Sequence, residues 1–131
     1  MKRVIVIGLG IFGFNIVKEL SESGFEVIAI DKNKEAVQKI KDFATKAIVA
    51  DGTDKEIMAV IGIQEDDTVI VSFGEDLAAA TLTTLHLKQM KVKQVIVKDR
   101  KVNVQPVVRE CRHVIIEPAV QINYGVHAVA L

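Results

Sequence analysis

Val4-Ile5-Val6-Ile7-Gly8-Leu9-Gly10-Ile11-Phe12-Gly13 decides the reading of this chain. An apolar, β-branched run passes directly into G-x-G-x-x-G. That order predicts a strand that turns sharply into a helix. Each glycine has a physical task. Gly8 permits the tight turn, and Gly10 allows a pyrophosphate to approach the backbone. Gly13 lets the helix pack close against the strand, while the helix N-terminus offers unpaired N–H groups to an anion. The spacing alone is common, but the next apolar run, Val27-Ile28-Ala29-Ile30, closes on Asp31, an acidic residue at the required distance of roughly 20 positions. A carboxylate there accepts hydrogen bonds from ribose hydroxyls and repels a 2′-phosphate, so an adenine nucleotide is expected and NADP is disfavoured.

Outward from this stretch the same alternation continues. Strands are expected at Arg3–Ile7, Glu26–Ile30, Lys46–Ala50, Thr68–Ser72, Gln94–Lys98 and Val114–Glu117, nearly uninterrupted apolar runs of the kind buried on both faces of a parallel sheet. Helices are expected at Ile11–Ser23, at Asn33–Phe43 with Asn33 as N-cap, and at Asp54–Ile61 with a Thr53/Glu56 capping box. A fourth spans Asp76–Met90, and a short fifth starts at Pro106. Right-handed crossovers then give an α/β fold: a single Rossmann-like domain with a doubly wound, parallel, six-stranded sheet of order 3-2-1-4-5-6. The ligand crevice lies between strands 1 and 4.

The 131 residues suffice for one domain, and 17 basic residues balance 17 acidic ones without clustering, so no nucleic-acid surface is expected. No apolar run approaches the length of a membrane span. The first strand begins at the third residue, so no signal peptide is expected. A single cysteine, Cys111, fits a reducing compartment. These features together predict a cytoplasmic protein. Residues 119–131 carry no Lys, Arg, Asp or Glu. A seventh strand, a terminal helix and a partly disordered end all fit them. Such an apolar tail is expected to cover a sheet edge or to pack on another subunit.

The segments 6–13, Ile28-Ala29-Ile30-Asp31-Lys32-Asn33, Val49-Ala50-Asp51-Gly52-Thr53-Asp54 and Leu82-Thr83-Thr84-Leu85-His86-Leu87-Lys88 together resemble the nucleotide-binding N-terminal domains of Trk/Ktr-type potassium-transport regulators, also called RCK or KTN domains. The resemblance covers nearly the whole chain. It implies a domain over residues 1–118 that binds NAD(H), ADP, AMP or ATP. It also implies a homodimer, often within an eight-domain (octameric) ring, that gates a membrane potassium transporter or channel. Such a subunit sits at the membrane through its partner and does not insert. In this scheme Gly8, Gly10, Ile11, Phe12 and Gly13 hold phosphates, and Asp31 binds ribose with Lys32 beside it. Asp51, Gly52 and Thr53 flank the adenine, Phe73, Gly74 and Glu75 line the sugar and phosphate side, and Lys98 points a cation toward the phosphates.

Two positions depart from the family. Many ATP-responsive members carry arginine where this chain has Ile11. The Pro-Glu that follows the sixth strand in relatives is Pro118-Ala119 here, and strand geometry points Glu117 elsewhere. Both departures weaken a triphosphate-specific switch. Full-size regulators also carry a C-terminal ligand-binding domain that has no counterpart in these 131 residues.

Other residues read as structural. His86, His113 and His127 share no metal-ligand spacing. Cys111 sits beside Arg109 and Arg112, where cations lower a thiol's pKa, yet a structural surface or half-buried cysteine is the simpler reading. Glu65-Asp66-Asp67 reads as an acidic turn. Ala78-Ala79-Ala80 packs on the sheet or on a twin subunit. No catalytic acid–base set accompanies the glycine loop, which favours a regulatory binding module over the alternative, the coenzyme domain of an NAD-dependent oxidoreductase.

Overall fold

A computed structural model describes residues 2–74, 76–98 and 104–112, and the backbone of 119–122 and 127–130. The strands are β1 (Arg3–Ile7), β2 (Glu26–Asp31), β3 (Lys46–Val49), β4 (Thr68–Val71), β5 (Gln94–Val97), β6 (Ala119–Ile122) and β7 (His127–Ala130). The helices are α1 (Ile11–Glu22), α2 (Lys34–Ile40), α3 (Lys55–Ile61), α4 (Leu77–Gln89) and α5 (Val104–Cys111).

Five parallel strands run in the order β3-β2-β1-β4-β5, as the alternating pattern predicts. Val4 pairs with Val27 and with Thr68, so the central strand lies in register with neighbours from both halves of the chain. The period-2 geometry of β1 then sorts its side chains. Val4 and Val6 join Ile16, Leu20, Val27, Ile40 and Val107 on the face covered by α1, α2 and α5. Ile5 and Ile7 join Met58, Val69 and Leu87 on the face covered by α3 and α4. Both faces are dry, which is why these strands read as unbroken apolar runs.

Several expectations are corrected. Among the described residues the sheet has seven strands, not six. β6 pairs parallel to β5 at 119–122, while β7 folds back antiparallel on β6. Of the arrangements open for the uncharged tail, strands form at both described segments, where pairing satisfies backbone groups that the apolar sequence cannot leave bare. The strand expected at Val114–Glu117 lies outside the described residues. The cap of α3 is Asp54, not Thr53. Its carboxylate accepts from the N–H groups of Glu56 (2.9 Å) and Ile57 (3.4 Å), while the Thr53 hydroxyl turns to Asp51. Asn33 caps α2 as expected, through Glu35 and Ala36 N–H. Pro106 is the third residue of α5 rather than its first; a missing N–H costs nothing within that first turn.

Candidate functional site: a cleft at the carboxyl ends of β1 and β4

Where β1 and β4 diverge toward helices on opposite faces, their carboxyl ends open a cleft of about 560 Å³. Its lining combines Gly8, Leu9 and Gly10 of the glycine loop, Asp31 at the end of β2 and Lys32 after it, Asp51 and Thr53 after β3, and Ser72, Phe73 and Gly74 after β4. Asp76, Ala78, Ala79 and Leu82 close it from the α4 side. The size suits a nucleotide, and the place is the topological switch point of an open α/β sheet.

The three glycines of the loop do different things. Gly8 has φ of +101°, and a Cβ there would strike the Ser72 carbonyl. A Cβ on Gly13 would strike the Gly8 carbonyl. Both are required by the fold. Around Gly10 nothing lies within 4 Å of a built Cβ, and its backbone is ordinary extended chain at φ −69°. The protein itself leaves Gly10 room for a side chain.

Helix α1 starts at this open position without a side-chain cap and with no acidic residue in its first turn. Asn33, Asp54 and Asp76 cap α2, α3 and α4. The N-terminus of α1 therefore presents backbone N–H groups and the positive end of its dipole beside the cleft.

The acidic residues are tied down individually. Asp31 Oδ2 accepts from Leu9 N–H at 2.7 Å, and its Oδ1 accepts from Asn33 N–H at 2.7 Å. Asp51 Oδ1 accepts from the Thr53 N–H (2.9 Å) and hydroxyl (2.7 Å). These two bonds, with Lys32 nearby, hold the Asp51 carboxyl below its ordinary range. Asp76 accepts from Ala79 N–H at 3.0 Å.

The structure thus brings Gly8, Gly10, Asp31, Lys32, Asp51, Thr53, Phe73 and Gly74 together. It keeps Gly13 and Gly52 behind the lining, and Glu75 lies outside the described residues. Gly52 is buried, and a Cβ there would strike Ile7; its carbonyl accepts from the buried Thr83 hydroxyl at 3.4 Å. Ile11 is 88% exposed on the first turn of α1 and does not line the cleft. Neither does Lys98, whose ammonium stands 5.6 Å from the ring centroid of Phe12, in that same turn. Leu9, Ser72, Asp76, Ala78, Ala79 and Leu82 join the lining although the sequence assigns them no place in the site. Asp76 had a signal, as a cap position just after the fourth strand. Ala78, Ala79 and Leu82 had none, because the path of α4 across the opening is a tertiary fact. Ala80, the third of the alanines, packs on the sheet instead.

The remaining candidates are structural. Cys111 is buried, and desolvation pushes its thiol up to about 12, so it is no reactive thiolate. Asp67 pairs with Arg3. Thr81 and Thr84 hydroxyls donate back to the carbonyls of Leu77 and Ala80. Among the described residues no group of His, Cys, Asp and Glu could hold a metal ion, and no helix is long and apolar enough to cross a membrane.

Comparison with known proteins agrees with this geometry. The sequence pattern of the TrkA-N domain matches residues 4–117. The chain belongs to the TrkA-N domain family. Ktr system potassium uptake proteins C and A of Bacillus subtilis (strain 168) are each 42% identical to it over 97 residues. That is 74% of this chain and 44% of the relative in both cases. The Vibrio alginolyticus Ktr system potassium uptake protein A is 41% identical over the same span. The chain thus spans less than half the length of these relatives. Among solved structures, the NAD(P)-binding domain of an exopolyphosphatase-related protein from Archaeoglobus fulgidus superposes with a TM-score of 0.66 at 24% identity. It covers 88% of this chain and 89% of its own. At that identity the likeness speaks for the Rossmann-like fold.

Proposed function

We propose that the TrkA-N domain described here binds an adenine nucleotide in the cleft and regulates potassium transport through a membrane transporter or channel. The observation that carries this reading is Gly10. It lines the cleft beside an uncapped helix N-terminus, in space that the protein leaves empty. Family membership and the potassium-uptake relatives supply the transport context.

The cleft favours ligands of modest phosphate charge. Lys32 is the sole cation among its described lining residues, against Asp31, Asp51 and Asp76. Ile11 offers nothing to a terminal phosphate, and the Lys98 ammonium stands over Phe12. We therefore read NAD(H), ADP or AMP as ligands at least as good as ATP, with NADP disfavoured by the Asp31 carboxylate. The domain acts as a binding module on the cytoplasmic side and assembles as a homodimer. A tenfold preference of the nucleotide for one arrangement of the assembly corresponds to about 1.4 kcal/mol, enough to bias a gate.

Mass spectrometry of ligand released from the purified, denatured protein, followed by calorimetry with ADP, ATP, NADH and NADPH, tests the reading. An adenine nucleotide without a 2′-phosphate is expected. Failure of every adenine nucleotide to bind overturns it.

A further inference from the structure

The bonds of Asp31 point to a task beyond ribose recognition. Leu9 lies between Gly8 and Gly10, and neither glycine has a side chain with which to hold the loop. Leu9 itself is fastened from two directions. Its side chain is buried in the cluster that contains Val6, Ile16 and Val17. Its N–H is bonded to Asp31 Oδ2 at 2.7 Å, across 22 residues of sequence. The other carboxylate oxygen takes Asn33 N–H at 2.7 Å, which fixes the Asp31 side chain to its own turn. A glycine-rich loop has much backbone entropy to lose. A charge-assisted bond at its middle residue limits the shapes it samples.

We propose that Asp31 is a positioning residue for the glycine loop. By holding Leu9 N–H, its carboxylate keeps the loop in the shape that presents the α1 N-terminus to a phosphate, independently of any contact with ribose. The proposal rests on the nucleotide reading of the cleft for its ligand arm, but not for its structural arm.

The structural arm uses the free protein. Residue-resolved amide hydrogen exchange is measured for wild type, Asp31→Ala and Asp31→Asn, with Val6 and Ile70 of the buried sheet as internal references. The Leu9 amide should exchange roughly tenfold faster in Asp31→Ala while the references hold. Asp31→Asn, whose carboxamide oxygen still accepts one bond, should fall between. Unchanged Leu9 exchange in Asp31→Ala overturns the proposal.

The ligand arm uses inorganic pyrophosphate, which has no ribose, to displace a fluorescent ADP analogue. Removing a carboxylate should by Coulomb's law strengthen the binding of an anion. The positioning role predicts the opposite sign, a loss of about fivefold or more in Asp31→Ala. Pyrophosphate binding that is unchanged or tighter, with ADP alone weakened, confines Asp31 to ribose and overturns the proposal. If wild type binds neither ADP nor pyrophosphate, the nucleotide reading fails, and Leu9 exchange still decides the positioning role.

Discussion

Arg3, at the start of β1, and Asp67, just before β4, form a bidentate ion pair across 64 residues of sequence. Arg3 Nε donates to Asp67 Oδ1 at 2.8 Å and Nη2 donates to Oδ2. Nη2 also reaches the Gly62 carbonyl at 2.8 Å, and Gln64 N–H donates to Asp67 Oδ2 at 2.7 Å. The pair sits at the amino ends of the strands, opposite the cleft, and locks the α3–β4 turn to the central strand. Asp67→Ala leaves the Arg3 guanidinium and the Gln64 N–H without this acceptor. The Arg3 side chain is 24% exposed, so the loss should be about 2 kcal/mol, below that of a fully buried pair. Urea denaturation should show that drop, while nucleotide affinity stays within error.

Gly10→Val should separate folding from binding. A Cβ at this position meets only open space in the protein, so thermal stability should stay within a few degrees of wild type. It fills the approach of a phosphate to the backbone, so ADP binding should fall below detection in calorimetry. Normal ADP affinity in a folded Gly10→Val protein would place the ligand elsewhere.

Gly13→Ala should do the reverse. Its methyl group would meet the Gly8 carbonyl, a backbone atom that cannot rotate away. Overpacking of this kind costs about 1–3 kcal/mol. Differential scanning calorimetry should report a clear fall in Tm, and the loss of binding should follow the distortion of the loop.

Ile11→Arg tests the phosphate preference. Position 11 is solvent-exposed in the first turn of α1, so the substitution should leave stability within about 0.5 kcal/mol. A guanidinium there adds a cation at the first turn of α1, where a terminal phosphate would gain a charge-assisted contact. ATP should gain over ADP by several-fold in the variant, with little difference between them in wild type. A wild-type preference for ATP of tenfold or more contradicts the assignment.

Cys111 gives a pH prediction with a definite sign. Burial pushes its folded thiol up to about 12, above the ordinary value of 9.0. The native state therefore holds the proton where the unfolded chain releases it. The stability this contributes is complete below pH 9 and is lost as pH rises toward 12, at up to about 1.4 kcal/mol per pH unit. Burial lowers the Lys2 ammonium from 10.5, which acts with the opposite sign in the same window. The comparison of wild type with Cys111→Val isolates the thiol. Only wild type should show the thiol's share of the alkaline loss, and its Cys111 should resist thiol reagents at pH 8 until the protein unfolds.

Much of this protein was legible in contiguous residues. Unbroken apolar runs announce strands buried on both faces, Asn33 announces its cap, and the spacing of Gly8, Gly10 and Gly13 announces the turn, because these demands act within a few residues. What only the tertiary structure decided lies across distance. Sheet register brings Arg3 to Asp67 and Asp31 to Leu9, and the path of α4 lays Ala78, Ala79 and Leu82 across the cleft. Backbone pairing at the edge of β5 turns the uncharged tail into β6 and β7. Packing of α5 into the cluster formed by β1 and α1 buries Cys111 and makes it inert despite its cationic neighbours in sequence. The glycines show the division most clearly. The spacing assigns each of the three a separate task, but only the packed atoms show what a side chain would meet: backbone carbonyls at Gly8 and Gly13, and open space at Gly10.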